Sequence, residues 1–332
     1  MHSTVPFFSI FSLLGFAASL VPLYWQFEAW NVGAVWYIFW IALSCFTQYF
    51  NAILWAGNTT TSVHTLCEIS IRVAMAVSVG LPASSMVINR RLYIFACMPP
   101  TVEATKSNKH RAVIVDSFIC GLFPTLYIAL QAASQRHRFT ILEDVGCFPD
   151  LSDTLPTYFL SFTAPLLLSF GSAVYCALSV IEMSASRTNF AEALSGHRNL
   201  TPSRFLRLHG LALATLFLTL PLDLLNVAAN ATLTALVTRV SGDAAPFSFN
   251  VVARIPRALW AASESAHAAV ELGRWIAPVC AILFFAFFGL AAEARTHYAR
   301  GFTVLSNALW NTLARIGWVR PLPPLPGTAH PL

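Results

Sequence analysis

The stretch Trp275-Ile-Ala-Pro278-Val-Cys280-Ala-Ile-Leu-Phe-Phe-Ala-Phe-Phe-Gly289-Leu-Ala-Ala-Glu293-Ala-Arg295 decides the fold. From Ile276 to Ala292 it carries no charge, which meets the lower limit of roughly 17 residues for a helix crossing the hydrocarbon core of a bilayer. Six runs of similar character precede it, at about Val5–Leu23, Val32–Ala56, Ile69–Asn89, Ala112–Ala132, Leu155–Ile181 and Leu208–Val237. The chain therefore reads as an all-α membrane protein, a bundle of seven transmembrane helices.

Composition agrees. Of 332 residues, 56% are hydrophobic and only 11% charged, against roughly 25% charged in soluble domains. The mean hydropathy is +0.63, so apolar surface must face lipid as well as other helices. The net charge of +5 is modest, and no basic block or aromatic-interleaved basic stripe points to nucleic acid. The seven cysteines are scattered with no C-x-x-C pair, against a zinc site or a redox motif. There is no Gly-rich phosphate loop, H-E-x-x-H or intramembrane protease pair, so neither an enzyme nor a cofactor or metal is expected. The only lysines, Lys106 and Lys109, lie outside the spans, which excludes a retinal Schiff base.

An odd number of spans puts the two ends on opposite sides, and basic residues mark the cytosolic one. With the C-terminus in the cytosol, thirteen of the twenty basic residues fall inside. Arg90, Arg91, Lys106, Lys109 and Arg111 share one inner loop; Arg187, Arg198, Arg204 and Arg207 share the next. The acidic residues Glu143, Asp144, Asp150 and Asp153 gather on an outer loop. Residues 1–294 form the membrane domain, and 295–332 a short cytoplasmic tail. Its Pro-rich end, Pro321 to Pro326, cannot continue a helix and reads as disordered.

Several separated motifs carry a resemblance. Trp30-Asn31 precedes the second span and Asn51-Ala-Ile53-x-Trp55 closes it. Cys67-Glu68-Ile69-x-x-Arg72 opens the third span and Asn89-Arg90-Arg91-Leu92-Tyr93 ends it. Arg138-Phe139-x-Ile141-x-Glu143-x-x-Gly146-Cys147 lies in the outer loop, and Phe205-x-Arg207-Leu208 leads into the sixth span. With the Trp275–Glu293 segment, these motifs make residues 5 to about 300 resemble the fungal mating-pheromone receptors of the a-factor-receptor type, a class D G-protein-coupled receptor family. The resemblance implies a multi-pass plasma-membrane receptor for a farnesylated peptide pheromone that promotes nucleotide exchange on a heterotrimeric G protein. Homodimerisation is left open. The alternatives are a receptor-like relative without a mating role, and a transporter.

Residue roles follow from this reading. Arg90, Arg91, Arg204 and Arg207, at the inner ends of the third and sixth spans, are expected to touch the G protein; the alternative is snorkelling to headgroups. Cys67 and Cys147 both fall on the outer, oxidising side, where they read as a disulfide or as two separate thiols. Arg138, Glu143, Asp144, Phe148, Asp150 and Asp153 are expected to read the peptide; the alternative is a merely solvated loop. Asp223 reads as the one carboxylate deep within a span, either contacting ligand or hydrogen-bonded to a neighbouring helix. Pro221, two residues before it, removes a backbone hydrogen bond and is expected to kink the sixth helix. Asn58-Thr-Thr60 is a glycosylation sequon in the first outer loop.

Overall fold

The computed structural model describes residues 4–60, 63–97, 106–132, 135, 138–152, 154–185, 202–241 and 252–291, with isolated positions beyond. Seven helices among them are long and apolar enough to cross a membrane. They are α1 (Val5–Glu28), α2 (Val32–Leu54), α3 (His64–Cys97), α4 (His110–Gln131), α5 (Leu155–Glu182), α6 (Leu206–Val227) and α7 (Glu264–Gly289). Asp223, Asn226 and Asn230 do not break α6, and one helix runs from Pro202 to Ser241.

The helix α3 is the axis of the bundle, with more of its span buried than any other. Small residues make this packing close. A Cβ on Gly80 would sit 2.6 Å from the Trp40 indole, so glycine lets α2 and α3 approach. Trp40 then donates through Nε1 to the Cys120 carbonyl at 2.8 Å. That carbonyl lies in a π-helical turn of α4, Phe118–Leu122, where the ladder shifts register. Tyr37 of α2 bonds Thr215 of α6 at 2.7 Å between their hydroxyls. Tyr37, Ile41, Ile88, Leu211 and Phe284 are fully buried in the same core.

Three findings correct the sequence reading. First, the protein is not all helix. Phe139–Leu142 (β1), Gly146–Phe148 (β2) and Val252–Ile255 (β3) form a sheet in the order β2-β1-β3, with β1 antiparallel to β2 and parallel to β3. Second, α7 starts at Glu264, well before Ile276. Its charges are satisfied by protein: Arg274 Nε donates to Glu271 at 2.8 Å, and its guanidinium lies 4.8 Å from the Phe8 ring centre. Third, Asp223 is not the only carboxylate within a span, since Asp116 of α4 is 1% exposed. The tail, 295–332, falls almost entirely outside the described residues.

The β1–β2 turn requires Gly146. Its φ is +105°, and a Cβ there would meet the Asn51 Cβ at 2.7 Å. Asn51 cannot yield freely, because Ser70 Oγ donates to its Oδ1 at 3.1 Å. Gly146→Ala is therefore expected to cost about 1–3 kcal/mol in backbone strain alone. Surface immunolabelling of cells expressing the variant should fall severalfold, and wild-type levels would show that the turn tolerates a side chain.

Candidate functional site

The sheet lies across one end of the bundle and is fastened there at several points. Cys67, in the first turns of α3, is disulfide-bonded to Cys147 of β2, with Cα atoms 5.2 Å apart. The turn between β1 and β2 docks on the end of α2, where Asp144 donates its N–H to the Trp55 carbonyl at 3.0 Å. Asp144 Oδ1 accepts from the Gly57 amide at 2.8 Å, and its Oδ2 pairs with Arg257 at 3.0 Å. Glu143 accepts from the Arg257 backbone amide at 2.8 Å and from the Trp260 indole, through its carbonyl, at 3.3 Å. Together these contacts tie α2, α3, both hairpin strands and the β3–α7 connection into one cap.

Beneath the cap is a cavity of about 260 Å³, lined by residues of all seven spans and of the sheet. Its wall is unusually polar for a membrane interior. Gln48 and Asn51 of α2, Ser70 of α3, Gln131 of α4, Ser161 of α5 and Asp223 of α6 all face it. Asp223 is 9% exposed and accepts from Ser169 Oγ of α5 at 3.1 Å.

The structure divides the sequence-predicted ligand residues. Phe148, Asp150 and Asp223 line the cavity. Glu143 and Asp144 are spent on the cap, and Asp144 is only 3% exposed, so the acidic stretch is no freely solvated loop. Arg138 pairs with Glu68 of α3 on the cap's flank. Asp153 lies outside the described residues. Asn58 of the sequon donates through Nδ2 to the carbonyls of Leu54 at 3.1 Å and Ala56 at 3.3 Å, closing the end of α2.

At the opposite end, the Asn89-Arg90-Arg91 triplet faces inward. Asn89 Nδ2 donates to Ser172 of α5, to the carbonyl at 3.2 Å and the hydroxyl at 3.0 Å. Arg90 Nη1 and Arg91 Nε reach the two oxygens of Asp116 at 2.9 and 2.6 Å. Arg91 Nη1 also donates to the Trp30 carbonyl at 2.8 Å, on a backbone held at φ +53°. Arg207 lies 6.0 Å from the Phe288 ring centre, joining α6 to α7. Arg204 is in the helix before α6, and its side chain is outside the described residues.

The sequence analysis missed Asp116, the third strand with Arg257 and Trp260, and Arg274. Asp116 left a legible signal, a carboxylate within the apolar run 112–132. The strand Val252–Ile255 left almost none, because four residues are too few for a periodicity.

Seven membrane-length helices around a cavity with polar groups in its wall, closed at one end by a disulfide-tethered sheet, define a multi-pass membrane protein. The family described as STE3, pheromone A receptor, matches residues 7–307, and the chain belongs to it. Its relatives include the pheromone B alpha 3 receptor of Schizophyllum commune, 43% identical over 93% of this chain and 49% of that protein. The pheromone B alpha 1 receptor of the same fungus is 39% identical over 96% of this chain and 48% of the relative. Pheromone receptor 1 of Mycosarcoma maydis is 29% identical over 88% of this chain and 82% of its own. The chain spans about half the length of the two Schizophyllum relatives.

Proposed function

We propose that the chain is a receptor for a lipid-modified, farnesylated peptide mating pheromone and that it signals through a heterotrimeric G protein at the plasma membrane. The observation that carries this reading is the capped cavity, which gathers all seven helices around one enclosed space of about 260 Å³. A ligand held by every helix can favour one arrangement of the bundle over another, and only such differential affinity moves the equilibrium.

The sheet end faces outside. A disulfide persists in an oxidising compartment, and the basic residues gather at the other end, so the N-terminus is exterior and the C-terminus cytosolic. An apolar groove of about 450 Å³ on the bundle's flank, between Trp36 and Phe39 of α2, Ile69 and Val73 of α3 and Ile128 of α4, suits the lipid chain. Burying such a chain is worth about 0.8 kcal/mol per CH₂ equivalent, so lipid supplies affinity while the cavity supplies specificity. Phe148, Asp150 and Asp223 take the peptide, and Arg90, Arg91, Arg204 and Arg207 mark the coupling face. Glycosylation at Asn58 would require the amide to leave its bonds to Leu54 and Ala56.

The test is expression in yeast lacking its own pheromone receptors, with a pheromone-responsive reporter and a library of synthetic S-farnesylated peptides. Some library members should activate the reporter, and their unfarnesylated forms should not. Compartment reporters fused after Ser107 and Ser195 should read cytosolic and one after Ser152 exterior. An exterior signal at Ser195, or a reporter silent to the whole library in cells displaying the protein, would overturn the reading.

A further inference from the structure

The cavity is unbalanced in both charge and hydrogen bonding. Among the described residues, Asp223 lines it without an ion pair, and the guanidinium facing the same space is that of Arg274. That guanidinium is already neutralised by Glu271 at 2.8 Å, and the nearby Arg257 is taken by Asp144 at 3.0 Å. Asp223, near the end of α6 and within the longer Pro202–Ser241 helix, has by contrast a neutral partner, the Ser169 hydroxyl. A carboxylate at membrane depth is expensive to ionise unless a counter-charge reaches it.

Around the same space, five buried polar atoms have no hydrogen-bond partner among the described residues: Gln48 Oε1, Gln131 Oε1, Thr140 Oγ1, Ser161 Oγ and Asn230 Nδ2. They come from α2, α4, β1, α5 and the continuation of α6 in the Pro202–Ser241 helix, so they surround the cavity rather than cluster on one wall. Buried polar atoms left unmade each cost free energy, and native proteins retain few of them without a use. Four of the five are oxygens able to accept from N–H groups, and the fifth is an amide donor. That is the inventory required by a short stretch of peptide backbone ending in a positive charge. At about 260 Å³ the space suits one end of a peptide, below the ~300–1,000 Å³ of cavities that enclose a whole small ligand.

We infer that the cavity is a subsite for a cationic group of the peptide, a primary ammonium or a guanidinium. Asp223 is its counter-ion, and Gln48, Gln131, Thr140, Ser161 and Asn230 hold the adjoining amides. This inference rests on the peptide-receptor reading and adds to it the charge and direction of the ligand: the polar, cationic part enters the bundle while the lipid stays outside it. The cation is supplied either by the peptide's N-terminus or by a basic side chain.

The experiment takes an activating S-farnesylated library peptide and compares three forms on the same receptor. These are the parent, its N-acetylated form, and a form with each Lys or Arg replaced by Gln. On the wild-type protein one neutralised form should lose at least tenfold in potency, and which one loses it identifies the source of the cation. On Asp223→Asn the parent should lose potency while the ratio between parent and neutralised form collapses towards one. Asp223→Glu, which keeps the charge, should retain the preference. Equal potency of all three forms on the wild type would overturn the inference, as would an unchanged ratio on Asp223→Asn. Should Asp223→Asn fail to reach the surface, the wild-type comparison decides alone. A library with no activating member overturns the receptor reading itself, and this inference with it.

Discussion

Cys67→Ser is expected to abolish most of the response to an activating peptide and to lower surface display sharply. The bridge it removes closes a segment with a sequence separation of 80 between α3 and β2. Removing a native disulfide of this kind costs about 2–5 kcal/mol. The loss falls on the cap rather than evenly on the fold, because the bundle core around Tyr37 and Phe284 is a separate cluster that shares no residue with it. The hairpin keeps its contacts through Asp144 to Trp55 and Arg257, yet it loses its covalent anchor on the central helix. Entropy that the bridge removed in advance must then be lost on binding, so affinity should drop further than stability. Cys147→Ser should match it, and the double variant should be no worse than either, since the two thiols act as one unit. Non-reduced peptide mapping of the wild type should recover the two cysteines joined. Full response from either single variant would show that the cap holds without the bridge.

The parts of this fold that were legible in the sequence are those governed by the bilayer. Long uncharged runs have few alternatives to a membrane helix, so the seven spans were readable wherever the apolar run was unbroken. Errors arose where protein replaces lipid as the environment. The first turns of α7 carry Glu264, Glu271 and Arg274, which hydropathy reads as loop, although Arg274 is only 6% exposed and is satisfied by Glu271 and Phe8. The same cause hid the roles of Glu143 and Asp144. A run of acidic residues beside an aromatic looks like an exposed reading surface, whereas the partners that consume it, Gly57 and Arg257, lie far away in sequence. Asp223 was recognisable by itself, since a carboxylate two residues past a proline in an apolar run stands out. That the cavity around it draws on Gln48, Gln131, Thr140, Ser161 and Asn230 was not recognisable, because no spacing rule links five separate elements.

The second large effect is expected at the other end of the bundle, from Asp116. Its two oxygens hold Arg90 and Arg91 at 2.9 and 2.6 Å, and Arg91 continues to the Trp30 carbonyl at 2.8 Å. One buried carboxylate thus joins α3, α4 and the α1–α2 connection. Removing a single partner of a buried pair leaves charge without compensation and costs about 3–5 kcal/mol. The arginine side chains here are 29% and 21% exposed, so water recovers part of that and the lower end applies. Asp116→Ala should therefore lower the thermal midpoint of the detergent-purified protein more than Arg90→Ala or Arg91→Ala does. Signalling separates two roles for the arginines. If they touch the G protein directly, Asp116→Asn frees their donors and a peptide response survives. If they act by tying α3 to α4, Asp116→Asn should lower the response as much as the Arg90→Ala, Arg91→Ala double variant does, and combining all three changes should add little. Three of their donors are already committed within the chain, which favours the second outcome. The measurement is the maximal reporter response normalised to surface protein. A response to Asp116→Asn at wild-type height, beside a silent double variant, would return the arginines to direct contact with the G protein.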